Sequence, residues 1–510
     1  MILGILGIIL SLALLITLAY RGMPVIIAAP IASVVALVFS GAPILASYTE
    51  IFMPALGNFV MNYFPVFLLG AIFGLLMTAT GYAESIARSV TRVIGARSAL
   101  LATVVTSALM TYGGISLFVV AFVMFPLARE LFRMADIPKR LIPGTIALGI
   151  FTFTMTALPG SPQVQNLIPG QFFGTDGFAA PGVGIIGTLM ILGLGLLWLE
   201  YRRRSLMAQG EHFADTQDAI DREHGVPAAR AGAGAASRPK GVGPGAAAVA
   251  EEAAPKDSAV SVEDNPDAQP TSAALLTPPN AVVPFLPLLM VIAVNFACTL
   301  LVFPALDWSH LGEEKFGGVT LEARAGIWAV TVGLTAAVLL IIALNLRHLA
   351  ALKKGFYDGA KGAMLPIFST ASEVGYGAVV ASVAAFAVIR DSVFGIGGNA
   401  LVTSVVSTSV TAAITGSSSG GMTIALNAFG EQLRGMAMDQ GVSLEAMHRL
   451  TAMAAGGLDT LPHSGAVVTL LIVCGMSHRQ SYKDIGMVTL VIPVVTVAVL
   501  TTVVSLTGAF

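Results

Sequence analysis

Long apolar runs alternate with short polar ones over most of the chain. Runs near 2–20, 24–40, 58–79, 183–200, 281–303, 325–346, 363–389 and 485–508 approach or exceed the about 20 helical residues needed to cross the about 30 Å hydrocarbon core of a bilayer. Two further stretches, 98–131 and 141–175, are apolar but broken by Gly, Pro and Ser. From about Ser205 to Pro279 the periodicity vanishes and Ala, Gly, Pro, Asp and Glu dominate. Such a composition cannot bury enough apolar surface to offset the entropy of ordering. The pattern predicts an all-α polytopic membrane protein with an N-terminal membrane half (1–204), a disordered cytoplasmic linker (205–279) and a C-terminal membrane half (280–510). The first run has no basic stretch ahead of it and no small-residue cleavage site, so it reads as a retained span rather than a signal peptide.

Composition agrees with the pattern. Of 510 residues, 55% are hydrophobic and 11% charged, against roughly 25% charged in soluble domains. Cys298 and Cys474 both fall in apolar spans, which suggests neither a disulfide framework nor a cysteine metal site. The net charge of −2 identifies no partner, whereas the placement of the cations orients the chain.

Lysine and arginine gather on cytoplasmic loops. Seventeen of the 27, including Arg88, Arg92, Arg97, Arg129, Arg133, Arg202, Lys353 and Lys483, sort to one side; five, Lys315, Arg324, Arg390, Arg434 and Arg449, go to the other, and the linker holds the rest. This sorting requires 98–131 to enter and leave on the same face, as a re-entrant hairpin turning at Tyr112-Gly113-Gly114. A second hairpin, 399–433, turns at Thr415-Gly416-Ser417-Ser418. Both termini then emerge on the external, periplasmic face, with the linker inside.

The two hairpins repeat at an offset of 303 residues. Gly95, Gly113, Ser116 and Leu158-Pro159-x-Ser161 recur as Gly398, Gly416, Ser419 and Leu461-Pro462-x-Ser464. Five crossings between the hairpins, an odd number, would invert the second half relative to the first. Inverted repeats with paired interruptions point to a transport site. A chance alignment of Gly- and Ser-rich helices is the alternative, and the shared offset weighs against it.

A non-helical tip at membrane depth survives only where it is buried or lines a wet cavity. The second tip, Thr415, Gly416, Ser417, Ser418, Ser419 and Gly420, offers hydroxyls and the amide donors of a helix start, which suit a carboxylate. The first tip offers Tyr112, Gly113, Gly114 and Ser116. Proline at each helix break frees backbone groups beside Gly160, Ser161, Gln163 and Asn166 in one half and Asp459, His463 and Ser464 in the other. Small residues also serve close helix packing. That bland role suffices for isolated glycines such as Gly70, but three serines between two glycines exceed what packing needs.

Ionisable residues inside spans are costly and count as functional hypotheses. Glu373 lies within the 363–389 run; Asp459 and His463, four apart, would share a helix face. Their pairing suits reversible protonation or, equally, merely satisfies a kink. Glu373, Asp459 and His463 are thus the proton-coupling candidates. Sodium is the alternative ion, since hydroxyls and free carbonyls also coordinate it. No metal site, cofactor or nucleic-acid partner is expected, nor any catalytic residue. Gly182-x-Gly184-x-x-Gly187 follows no strand and is a glycine-rich helix start, and no phosphate-binding loop with its lysine occurs.

Thr111-Tyr112-Gly113-Gly114-Ile115-Ser116-Leu117-Phe118, Leu158-Pro159-Gly160-Ser161-Pro162, and Leu461-Pro462-His463-Ser464-Gly465 followed by Ser477-His478-Arg479-Gln480-Ser481-Tyr482-Lys483-Asp484 resemble the gluconate permease (GntP) family. The Leu-Pro-His-Ser-Gly stretch is closer to the branch associated with 3-hydroxybutyrate. The resemblance implies a homodimeric proton symporter of the bacterial inner membrane for sugar acids or short hydroxycarboxylates, related to the wider ion-transporter group with inverted repeats. The long linker departs from that pattern. A passive anion channel, its pore lined by hydroxyls and re-entrant loops, is the competing expectation.

Overall fold

The computed structural model describes residues 2–508 apart from 21–22, 96–97, 215–281, 317, 389–397 and 463. Most of the expected linker, His463 and Arg390 therefore lie outside the described residues. Those described form helices and no strands. Among the described residues five helices are long and apolar enough to cross a membrane: Ile44–Ala79, Pro181–Ala208, Val283–Ala305, Arg324–Leu344 and His478–Thr507. Their outward side chains include Leu45, Leu189, Leu197, Leu301, Leu339 and Val499, all exposed, as a lipid-facing surface requires and an aqueous one penalises.

The helices follow one order twice. In the first half Ile2–Tyr20 and Val25–Ser40 pair, then come Met53–Ala79 with Pro65 inside it, the hairpin arms Ala99–Tyr112 and Leu117–Met134, Leu141–Ile150 up to a break, and Pro181–Ala208. In the second, Leu286–Ala297 and Leu321–Leu344 pair, followed by Leu349–Ser382 with Pro366 inside it, the arms Ala400–Thr415 and Ser418–Asp439, Leu444–Leu458 up to a break, and Ile492–Thr507. Contacts cross over reciprocally: Val25–Ser40 packs on Leu349–Ser382, and Leu321–Leu344 packs on Met53–Ala79. The two proline-bearing helices lie along each other. Gly359 makes this approach feasible, because a Cβ there would sit 2.6 Å from the Ile72 backbone.

Three segments join at one end of the molecule. Arg202 pairs with the buried Asp484 at 2.8 Å, Ser481 donates to the Arg140 carbonyl, and Arg140 pairs with Glu211. Basic loops assigned to a common side by their charge thus meet in space. The Arg140–Glu211 pair and the His212–Asp136 bond also hold the chain beyond the end of helix Pro181–Ala208.

One cation departs from its expected place. Arg449, assigned to an external loop, is fully buried in the helix Leu444–Leu458. Its guanidinium is satisfied by oxygens of the first half, as described below, so it needs no water.

Candidate functional site

Each of the two segments expected to be a hairpin consists of two packed helices joined at a glycine turn. Gly114 has φ +95° in the first and Gly416 has φ +64° in the second, the left-handed region where a side chain is strained. The flanking Gly95 and Gly398 also have positive φ. Ser417 then starts the second arm: its hydroxyl accepts from the Gly420 N–H at 3.2 Å, the usual serine N-cap. Thr415 donates to the Ser417 carbonyl at 3.2 Å, tightening the turn. Ser418 and Ser419 are buried.

The first break is held by its own amides. Tyr112 donates to the Pro159 carbonyl at 2.7 Å and Gln163 to the Thr111 carbonyl at 2.7 Å, which ties the first hairpin tip to the break. Ser161 donates to the Thr154 carbonyl at 2.6 Å. Asn166 donates to the carbonyls of Ser161 and Gly177, both at 2.9 Å. Asn295, from the second half, donates to the Gly160 carbonyl. Backbone oxygens at and around the break are therefore taken up by side-chain donors, as buried carbonyls demand.

Arg449 closes the same network. It donates to Asn166 Oδ1 at 2.6 Å and to the carbonyls of Thr156, Gly177 and Ala179. Beside it, His448 bridges the Asn166 carbonyl and the Thr175 hydroxyl. Sequence reasoning missed both residues, although an arginine among Met447, Leu450 and Met453 was a visible anomaly. An arginine at this depth can be tolerated because its five donors fit a ring of carbonyls.

The second tip meets the first break at one bond. Gln165 Nε2 donates to Ser418 Oγ at 3.1 Å, so interruptions 253 residues apart share a contact. Asp459, at the second break, faces the hydroxyl and backbone N–H of Ser418. Glu373 faces the Ser417 hydroxyl and lies so close to Gly420 that a methyl group there would collide with Oε2. Glu373 is 6% exposed. Among the described residues, one oxygen of each acid, Glu373 Oε2 and Asp459 Oδ1, is buried without a hydrogen-bond partner, which is costly in an apolar setting. Ser464 caps the helix Gly465–Val473 and is buried with no capping bond of its own. Among the described residues no three His, Cys, Asp or Glu side chains gather.

Of the expected site residues, the structure brings Ser417, Ser418 and Gly420 together with Glu373, Asp459 and the first break through Gln165. Tyr112, Gly160, Ser161, Gln163 and Asn166 form the frame of that break. Gly113 and Gly114 instead pack on Leu288, Leu334 and Val291.

A chain of apolar spans whose buried polar groups gather at two hairpin turns and two helix breaks has the makeup of a multi-pass membrane transporter. The comparison with known proteins agrees: the chain is 40% identical over 509 residues, 98% of either chain, to the uncharacterized transporter YxjC of Bacillus subtilis. It belongs to that transporter family. No protein-family model matches it.

Proposed function

We propose that this protein is a proton symporter that carries small hydroxycarboxylates, sugar acids such as gluconate or short acids such as 3-hydroxybutyrate, across the bacterial inner membrane. The observation that carries the proposal is the convergence of Ser417, Ser418 and Gly420 with Glu373 and Asp459 at the start of one helix. A helix start with unsatisfied N–H groups holds an anion, and here the protein's own carboxylate, Glu373, is set against it. A substrate carboxylate and ionised Glu373 compete for this place. Protonation of Glu373 removes the competing charge and admits the substrate, so proton and anion travel together. A potential negative inside opposes anion entry by about 2.3 kcal/mol per charge per 100 mV, and one co-transported proton cancels that term for a monovalent acid.

The same proposal holds the two halves to be inverted repeats in the manner of the gluconate permeases and the ion-transporter group, with the hairpins re-entrant. The arm Ala99–Tyr112 has 14 residues, about 21 Å of helix, short of a full crossing. Both termini would be periplasmic, the linker cytoplasmic and the protein a homodimer, with alternating exposure of the site. His463 would assist Asp459 in proton transfer.

Uptake of a panel of labelled hydroxy acids into proteoliposomes, under an imposed proton or sodium gradient, tests this. Saturable accumulation driven by the proton gradient, with counterflow exchange, is expected. Accumulation driven by sodium alone would reassign the coupling ion, and unsaturable flux without exchange would make the protein a channel.

A further inference from the structure

A cavity of about 410 Å³ lies apart from the hairpin tips. Helices Met53–Ala79, Leu349–Ser382 and Ser418–Asp439 and the short helix Ile168–Phe173 form its walls. Its polar lining is Asn58, Asn62, Tyr63, Gln171, Ser382, Thr423 and Asn427. None of these belongs to the hairpin turns or the helix breaks. It begins one turn beyond the tip: Val374 and Gly377 continue the helix from Glu373, and Thr423 and Asn427 continue the other from Gly420.

Two features separate this space from a packing defect. Among the described residues the Tyr63 hydroxyl, on a side chain 2% exposed, and the Gln171 amide nitrogen have no hydrogen-bond partner. Buried donors of this kind carry a penalty of about 1–3 kcal/mol unless something else satisfies them. In addition, the lining contains no carboxylate, while Arg324 donates to Asn62 Oδ1 and so places a cation beside the cavity. Three asparagines, a glutamine, a phenol, a threonine and a serine under a guanidinium match hydroxyl groups next to a carboxylate, and its volume is within the usual range of small-molecule sites.

We propose that this cavity is a second binding site, preceding the hairpin tip, for a hydroxylated carboxylate: Arg324 draws the carboxylate, and Asn58, Asn427, Gln171 and Tyr63 bond the hydroxyls. The ligand class rests on the symport proposal above, whereas the anion preference rests on Arg324 alone. The site would filter solutes before any reaches Glu373.

Thiol labelling of the purified full-length protein in detergent tests it. Cys298 and Cys474 are both buried, so a cysteine introduced by Asn427→Cys can be followed by itself. The anionic reagent methanethiosulfonate ethylsulfonate should modify it at least about fivefold faster than its cationic trimethylammonium counterpart, and Arg324→Gln should erase that advantage. Addition of 3-hydroxybutyrate or gluconate should slow labelling, while butyrate, which lacks the hydroxyl, should not, because a site built for a hydroxyl rejects the analogue without it. Gln171→Cys, on the short Ile168–Phe173 wall, repeats the measurement if Asn427→Cys does not fold. Absence of labelling, equal rates for the two reagents, or no difference between the hydroxylated and plain acids overturns the proposal. Loss of gradient-driven uptake with protection intact would count against symport alone.

Discussion

The two hairpin tips are built on one plan and surrounded differently. At the first, Gly113 and Gly114 press on Leu288, Val291 and Leu334, and the nearby polar side chains, Tyr112 and Gln163, are bonded to backbone carbonyls. At the second, Glu373 and Asp459 each keep an oxygen with no partner among the described residues, beside Ser417 and Ser418. The turn glycines that match in conformation are Gly114 and Gly416, and the serines at the following helix starts are Ser116 and Ser417, so the offset of 303 read from Gly113 and Ser116 is not kept at the turns. Gly70 lies near the Gly114 carbonyl, as Glu373 lies near Gly420. At the first tip the unpartnered buried group among the described residues is an uncharged hydroxyl, that of Thr111, whereas at the second it is two acids with one unpartnered oxygen each. A carrier needs one rigid frame and one place whose charge can change, and this division supplies both.

The largest expected effect tests the frame. Arg449→Met removes the donors for Asn166, Thr156, Gly177 and Ala179, and each orphaned acceptor costs about 1–3 kcal/mol. The protein should fail to accumulate in the membrane, as seen by immunoblot of the membrane fraction. Wild-type abundance with a wild-type thermal midpoint in detergent would show that the first break does not depend on this arginine.

Next comes the acid that distinguishes the tips. Glu373→Gln should abolish accumulation under a proton gradient while leaving counterflow exchange within about threefold of wild type, the behaviour of a carrier whose differential binding of the proton has been removed. Its uptake should also lose its dependence on external pH, since the group that exchanges the proton has been removed. Retained gradient-driven uptake would clear Glu373 and leave Asp459 and His463 as the coupling groups.

Much of this arrangement was legible in the sequence. Spans, hairpins and breaks follow from apolar run length and from Gly and Pro, which act locally, and the offset between Gly95 and Gly398 or Gly113 and Gly416 needs no coordinates. Glu373 and Asp459 were legible because a charge in an apolar run is rare. Arg449 was not, because charge sorting treats an arginine as a loop marker, and its solvation by carbonyls 270 or more residues away is a tertiary fact. The amide cavity was hidden for the same reason: Asn58, Asn62, Gln171 and Asn427 are unremarkable one at a time, and only helix packing sets them around a common space.

Small substitutions at two glycines, one near each tip, sharpen the contrast most directly. Gly420→Ala drives a methyl group into Glu373 Oε2, so apparent affinity for substrate should fall at least about tenfold, equivalent to about 1.4 kcal/mol. Gly70→Ala meets nothing nearer than the Gly114 carbonyl at 3.8 Å and should leave uptake within about twofold, the change within a helix being otherwise favourable to stability. The double variant Gly420→Ala with Glu373→Ala separates steric conflict from damage to the turn. If the collision with Glu373 causes the loss, shortening the acid restores substrate exchange, though not proton-driven accumulation. If exchange stays lost, the methyl group has disturbed the Ser417 cap itself, and the closeness of Glu373 to Gly420 would carry no weight in substrate binding.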